Sequence, residues 1–416
     1  MDYSRGYFIK FVKVSEMNQD FMNKIRTFFA LPFFTERKYI IGIWILAAIV
    51  TSLKQYLRAD INNYKIFAYV YRHTVQKLPL YVEYPAQYFD SNHYGPFFSV
   101  IIAPFAVLPD GVGIVLWNLF NTTLLIFGVF KLPIKESYKV AIAWIITNEM
   151  ITALLSVQFN VGLTGLLLLG FVFLEKQKLF YATIAILIGF LVKLYGIVLL
   201  AFFFFIKQKI KFIGVFAIVT IVFFFAPLLI TDFAFLKMSY IDWFHALIYK
   251  SSYNESISDM ANISFMGFMK KVFGIQIHVL VAVAFGAFML GLILLRKSQY
   301  GSLTYKLLLF SDLLLCLVLF NTNVESPTFI IAFVGIAIWF ILVEKSNLNL
   351  FLFIFAMILT SFSPTDIFPK FLREQYVKPY ALKVLPCIFI WIDITRRLLT
   401  HKFNEFNHQD SKALRL

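Results

Sequence analysis

Residues 179–206 read LFYATIAILIGFLVKLYGIVLLAFFFFI, a continuous apolar run whose single charge is Lys193. About 20 helical residues cross the ~30 Å hydrocarbon core of a bilayer, so this run is too long for one span. Lysines flank it at both ends, at Lys178 and Lys207, and basic loops face the cytoplasm. The run therefore predicts a hairpin of two short helices that turns near Lys193, with its irregular backbone covered by protein.

The rest of the chain has the same character. Of its 416 residues, 60% are hydrophobic and 15% are charged, and apolar runs of about 15 to 25 residues recur. We predict an all-α, polytopic transmembrane protein of roughly 10–13 membrane segments. Residues 94–109 contain three prolines and predict a short element that does not fully cross. The other predicted spans are 39–55, 112–130, 140–155, 161–174, 212–231, 275–295, 304–320, 327–343, 348–361 and 381–395.

The net charge of +15 has a membrane explanation. Basic residues cluster at the ends of predicted spans, which is typical of cytoplasmic loops, so we expect membrane lipids and no nucleic acid as partners. Both termini are then predicted to be cytoplasmic, as in a multi-pass protein of a bacterial inner membrane. The predicted parts are an amphipathic cytoplasmic tail (1–38), a transmembrane domain (39–395) with outer loops 56–93 and 232–274, and a basic cytoplasmic tail (396–416).

The first outer loop opens with an acid, Asp60. Aromatic residues at helical spacing follow it, which predicts a helix along the outer interface. The loop then adds the polar residues Glu83, Asp90, His93 and Tyr94. A carboxylate at this place is suited to accept a proton from a hydroxyl group as a general base. The alternative is a solvated loop carboxylate.

Four ionisable residues interrupt apolar runs: Glu149, Lys193, Asp312 and Asp393. Such residues are costly in a membrane and are usually functional. Lys193 is suited to neutralise a phosphate group, although it could instead pair with Glu149 or extend to the interface. We interpret Asp312 and Asp393 as structural.

Two polar turns separate apolar runs. Gln158 and Asn160 lie at the mouth between two spans, where they either hydrogen-bond a sugar or cap helices. Residues 321–327 read NTNVESP and include Glu325. A plain turn would have the same composition.

Motifs for cofactors and metals are absent from the sequence. It has no Walker motif, dinucleotide fingerprint, His/Cys metal spacing or GxSxG elbow. Cys316 and Cys387, the two cysteines, lie in apolar runs, so neither a disulfide nor a thiolate site is indicated. We expect no metal and no cofactor.

An ordered set of motifs covers most of the chain. In order they are Asp60 to Tyr71 (DINNYKIFAYVY), Leu80-Tyr81, Tyr94-Gly95-Pro96, Trp117 with Asn121, Gln158-Phe159-Asn160, Lys193-Leu194-Tyr195-Gly196, Asn254-Glu255-Ser256 or Asn262-Ile263-Ser264, and Ser326-Pro327. This set resembles glycosyltransferase family 87, the polyprenyl-phosphate-mannose-dependent branch of the GT-C superfamily. Two departures stand out. Gly196 replaces a family proline, and the run Thr328 to Ile331 lacks a histidine that many relatives carry after Ser-Pro.

The resemblance implies a GT-C-like enzyme that transfers a mannose-like hexose, with inversion, from a polyprenyl-phosphate donor to a lipid or glycan acceptor at the outer face. The lipid-phosphate sugar is then a substrate rather than a cofactor. It implies Asp60 as the general base, while Asp90, outside the motif, is expected to be dispensable. The predicted substrate-binding residues are Tyr94, Gln158, Asn160, Lys193 and Glu325.

Three other functions remain open from the sequence. A transporter or a flippase of lipid-linked glycans would have paired inverted repeats with broken helices, and no convincing repeat is visible. A polymerase or ligase of surface polysaccharide also uses polyprenyl-linked sugars, but needs no acid at Asp60. A purely structural membrane protein is the third.

Overall fold

The computed structural model describes Lys24, residues 27–256 and residues 262–403. Within these residues every regular element is a helix and there is no strand. Four helices are long and apolar enough to cross a membrane: Arg37–Leu57, Asp110–Phe130, Glu136–Leu155 and Lys209–Leu229. The predicted all-α, polytopic fold is confirmed. Much of the two predicted tails lies outside the described residues.

The α-helices, numbered in chain order, are α1 Pro32–Thr35, α2 Arg37–Leu57, α3 Asn62–Gln76, α4 Phe98–Ala106, α5 Asp110–Phe130, α6 Glu136–Leu155, α7 Asn160–Glu175, α8 Leu179–Lys193, α9 Lys209–Phe225, α10 Phe233–Ser256, α11 Phe265–Phe273, α12 Val279–Leu294, α13 Leu303–Leu319, α14 Phe329–Leu342, α15 Asn347–Phe355, α16 Lys370–Leu372 and α17 Leu385–Thr400. Short 3-10 and π segments adjoin several of them. The core lies where α5 packs on α7 and α13 packs on α14.

The predicted hairpin at 179–206 is present. Helix α8 ends at Lys193, Leu194 adopts a left-handed conformation with φ of 62°, and a 3-10 helix then runs back over Tyr195–Phe205. The two arms pack closely because Gly196 has no side chain: a Cβ there would lie 2.0 Å from the Ile186 carbonyl oxygen. Lys193 is thereby fixed at the turn.

The proline-bounded element is also short, as predicted. Helix α4 has 9 residues and contains Pro104. At 1.5 Å per residue it rises about 14 Å, less than half of the ~30 Å hydrocarbon core. Its N-terminal approach, Tyr94 to Phe97, is buried and leads the first outer loop into the protein.

The two predicted outer loops differ from each other. The helix predicted in the first is present as α3. The second, predicted as the loop 232–274, is instead largely helical, since it contains α10 and α11. Polar residues exclude a span there but not a helix that packs on the rest of the protein. Tyr240 of α10 stacks on Phe224, and Trp243 is buried.

Candidate functional site

A cavity of about 600 Å³ opens beside the turn of the hairpin. Its polar end contains Lys193, Gln158, Tyr94 and Glu325, four of the five residues predicted to bind substrate. The rest of its wall is mainly apolar and comes from the 3-10 helix, α12 and α13. The apolar residues include Ile197, Val198, Ala201, Val279, Val283, Leu290, Leu313, Leu317 and Phe320.

The fifth predicted residue, Asn160, lies fully buried behind this wall and links the others. Lys193 Nζ donates to Asn160 Oδ1 at 2.9 Å, and Asn160 Nδ2 donates to Gln158 Oε1 at 2.7 Å. Gln158 Nε2 in turn donates to Glu325 Oε2 at 2.8 Å. Residues 167 positions apart in sequence are therefore joined in one hydrogen-bonded chain.

The groups in direct contact with the Lys193 ammonium are neutral, and the Glu325 carboxylate acts on it only from beyond ion-pair distance. Besides Asn160 the ammonium faces the rings of Tyr94 and Tyr195, at 5.7 and 5.4 Å from their centroids. No carboxylate of the described residues lies within ion-pair distance of it. The alternative that Lys193 pairs with Glu149 is wrong, because Glu149 forms its ion pair with Lys383, at 3.0 Å.

The turn that carries Gln158 is held under strain. Val157 has φ of 57°, a genuine outlier for a β-branched residue, and such strain concentrates at functional sites. Trp117 Nε1 donates to the Val157 carbonyl at 3.2 Å, and Asn121 Oδ1 accepts from the Gly162 N–H at 3.0 Å. The Trp-x-x-x-Asn motif thus positions the Gln-x-Asn motif.

Lys383 anchors the turn that carries Glu325. Lys383 Nζ, besides its bond to Glu149, donates to the Ser326 carbonyl and hydroxyl at 3.2 and 3.0 Å. Thr328 Oγ1 accepts from the Glu325 N–H at 3.4 Å. The buried ion pair between Lys383 and Glu149 therefore holds the Ser-Pro turn in place, a role that was not predicted for any lysine.

The other two intramembrane acids have structural partners. Asp393 accepts from Trp339, Arg396 and Arg397, at 2.9, 2.8 and 2.5 Å. Asp312 accepts from the Thr395 hydroxyl at 2.8 Å. Both are satisfied within the helix bundle, as predicted.

Asp60 does not line the cavity. It follows Ala59, whose φ of 55° turns the chain at the end of α2, and its Oδ2 accepts from Gln55 Nε2 at 3.1 Å. Asn63, three residues later, does line the cavity and donates to the Ser156 carbonyl at 2.7 Å. Asp60 is therefore exposed beside the cavity wall rather than within it.

A second charged cluster does face the cavity. Asp90 lies 3.7 Å from His93 Nε2 and 3.8 Å from Lys250 Nζ. The His93 ring, the Ser91 N–H and Lys250 together lower the pKa of Asp90 to about 2. Asp90 and His93 were predicted only as polar residues of one loop, and nothing in the sequence indicated Lys250, which α10 brings to them. Asp90 was predicted to be dispensable, yet it lines the cavity and contacts His93 and Lys250.

No described group of three or more His, Cys, Asp and Glu side chains has the arrangement of a metal site. The side chains that line the cavity offer two cations, two carboxylates, several amides and an imidazole, next to an apolar wall.

No curated protein matches the chain. The model of glycosyltransferase family 87, however, matches residues 92–364, roughly two thirds of the chain. The match includes the hydrogen-bonded chain from Lys193 to Glu325, and it begins beyond Asp60. The protein is a membrane glycosyltransferase, and the chain belongs to glycosyltransferase family 87.

Proposed function

We propose that this enzyme transfers a mannose-like hexose from a polyprenyl-phosphate donor to a lipid or glycan acceptor at the outer face of the membrane, with inversion. The observation that carries the proposal is the position of Lys193. Its charge stands at the polar end of an apolar cavity, with an amide and two tyrosine rings around it and no carboxylate partner among the described residues.

The donor fits this arrangement in two parts. A phosphate beside Lys193 supplies a negative charge within ion-pair distance, through a charge-assisted hydrogen bond. The isoprenoid chain covers the apolar wall of the 3-10 helix and α12, where each buried CH₂ contributes about 0.8 kcal/mol. Tyr94, Gln158 and Glu325 surround the same end, and their polar groups are suited to the hydroxyls of the sugar.

The reaction is a single displacement. A base removes the proton of the acceptor hydroxyl, whose oxygen attacks the anomeric carbon. The bond from that carbon to the phosphate oxygen breaks, and the electron pair leaves with the lipid phosphate, whose charge Lys193 stabilises. Attack opposite the leaving group inverts the anomeric configuration.

Asp60 is the proposed base because it is the acid of the motif that resembles the family. Its carboxylate is hydrogen-bonded to Gln55, so the role requires it to exchange this amide for the acceptor hydroxyl. Asp90 lies nearer, but a carboxylate with a pKa of about 2 is a weak base at neutral pH. We assign Asp90 the task of holding His93 and Lys250.

The Lys/Arg distribution supports a multi-pass position in a bacterial inner membrane with both termini in the cytoplasm. An impermeant thiol reagent should then label a cysteine placed at Glu83 in intact cells, and not one placed at Lys297.

The decisive experiment supplies purified enzyme in lipid nanodiscs with radiolabelled polyprenyl-phosphate mannose and membrane lipid extract, and counts label transferred. Asp60→Asn keeps the shape of the side chain and should lower turnover by at least ~10²-fold, the usual contribution of a positioned base. The control is Asp366→Asn, because Asp366 is exposed and lies outside both the cavity lining and the Asp60 segment. Full turnover in Asp60→Asn would exclude this base, and no transfer from any polyprenyl-phosphate hexose would exclude the proposed donor.

A further inference from the structure

A second cavity, of about 940 Å³, adjoins the first on the side of the outer loops. The two cavities have four lining residues in common: Asp90, Ser91, His93 and Lys250. They therefore meet at the charged cluster described above. Two substrates bound in the two cavities would face each other across these residues.

The second cavity differs from the first in its chemistry. Its walls present Glu83 and Asp242, with His245, from two facing elements, the first outer loop and α10. Within the described part of the chain, neither carboxylate takes part in an ion pair or a hydrogen bond. Their hydrogen-bonding capacity is open to a ligand with hydroxyl groups, while their charge repels an anion.

The shared wall is built to hold its shape. Trp243 Nε1 of α10 donates to the His93 carbonyl at 3.1 Å, and the Tyr81 hydroxyl donates to the Tyr94 carbonyl at 2.9 Å. The two ring nitrogens of His93 are shielded from solvent and make no direct hydrogen bond within residues 27–256 and 262–403, although Nε2 lies 3.7 Å from the Asp90 carboxylate. Buried polar groups are normally satisfied, so Nδ1 of His93 is left to bond a ligand at the boundary.

We propose that the second cavity binds the acceptor, and that the acceptor presents a polyhydroxylated headgroup without negative charge. The inference rests on the proposed function, since it assigns the first cavity to the donor. The acceptor headgroup then meets the donor at the boundary near His93, and Asp60, which lines neither cavity, must move toward that boundary to reach the acceptor hydroxyl. Glu83 and Asp242 select against anionic headgroups through like-charge repulsion.

Hexyl β-glucoside and hexyl β-glucuronide are matched probes, because they differ only at C6, which carries a hydroxymethyl group in the first and a carboxylate in the second. Saturation-transfer NMR on the enzyme in nanodiscs should give at least tenfold tighter binding of the glucoside. The double variant Glu83→Lys/Asp242→Lys should reverse that preference, and Glu83→Gln/Asp242→Asn should weaken it. The control Asp366→Lys/Glu374→Lys makes the same charge change at exposed acids that line neither cavity, and should retain the wild-type preference.

Equal binding of both probes by the wild type, or an unchanged preference in both cavity variants, would overturn the acceptor assignment. Binding of polyprenyl-phosphate mannose is measured in the same samples and should be retained in every variant. Selective glucoside binding by a wild-type protein that fails to bind this donor would instead overturn the proposed function, so the two failures are distinguishable.

Discussion

Lys383 and Lys193 are two lysines in the helical interior with opposite surroundings. Lys383 is 3% exposed and donates to the Glu149 carboxylate at 3.0 and 3.2 Å, and Glu149 is itself fully buried. Lys193 faces a cavity and donates to a neutral amide. The first charge is compensated within the protein, whereas the second leaves room for a negative charge from outside.

The difference separates a lysine that supports the cavity from a lysine that lines it. The Lys383 pair fixes Ser326, and through that turn it places Glu325 at the cavity. Lys193 lies at the other end of the same hydrogen-bonded chain. Removing one partner of a buried ion pair destabilises the folded protein, because the remaining charge is uncompensated. Removing Lys193 leaves no carboxylate without its ion-pair partner, so we expect no such loss of stability.

The largest effect expected from this comparison is on stability. Lys383→Met leaves Glu149 charged and buried, and should lower the free energy of unfolding by about 3–5 kcal/mol. Thermal unfolding of the purified protein measures it. Glu149→Gln/Lys383→Met, which removes both charges, should recover much of the loss. The exposed pair Lys378–Glu374 is the control, because Lys378→Met should change stability by less than about 1 kcal/mol. Equal losses at Lys383 and Lys378 would remove the basis of the comparison.

A smaller effect is expected where the hydrogen-bonded chain is cut. Asn160→Ala removes the acceptor that orients Lys193, and hydrogen bonds to charged groups contribute about 1.5–3 kcal/mol. Binding of polyprenyl-phosphate mannose should therefore weaken roughly tenfold or more. Asn148→Ala removes an amide that donates to Ser361 at 2.7 and 3.0 Å, away from the cavity, and serves as the matched control. Similar donor affinity in the two variants would mean that the chain does not position Lys193.

The smallest effect concerns Asp90 and pH. Its pKa falls from 3.8 to about 2 on folding, so its pairing stabilises the folded protein above about pH 4 and is lost as the pH falls toward 2. Its side chain is 59% exposed, so the contribution should stay below about 1 kcal/mol. Thermal unfolding of wild type and Asp90→Asn should differ slightly near neutral pH and converge in acid. A difference that stays constant with pH would contradict this pairing.

The features predicted correctly from the sequence were those that depend on one continuous segment of the chain. The charges at both ends of 179–206 require a hairpin, and the glycine at Gly196 lets it close. Motif order indicated the residues that the structure joins at Gln158 and Asn160. Helix α10 was not predicted, because its polar sequence depends on packing through Trp243 and Tyr240 for support.

The partners of charged residues could not be predicted. Glu149 and Lys383 are 234 residues apart, and nothing in either local sequence identifies the other, so Lys193 was considered as the partner of Glu149 instead. Lys250 reaches Asp90 only because α10 packs against the segment that contains Asp90. Pairing of this kind depends on tertiary placement, which one sequence does not contain.

The central claim is that Lys193 binds the donor phosphate, and one binding measurement tests it most directly. Radiolabelled polyprenyl-phosphate mannose is titrated onto wild type and Lys193→Met in nanodiscs, with thermal unfolding recorded on the same samples. We predict that Lys193→Met weakens donor binding at least tenfold, the loss of one charge-assisted contact to phosphate, with its unfolding temperature unchanged. Donor affinity equal to the wild type, in a protein that remains folded, would contradict the claim.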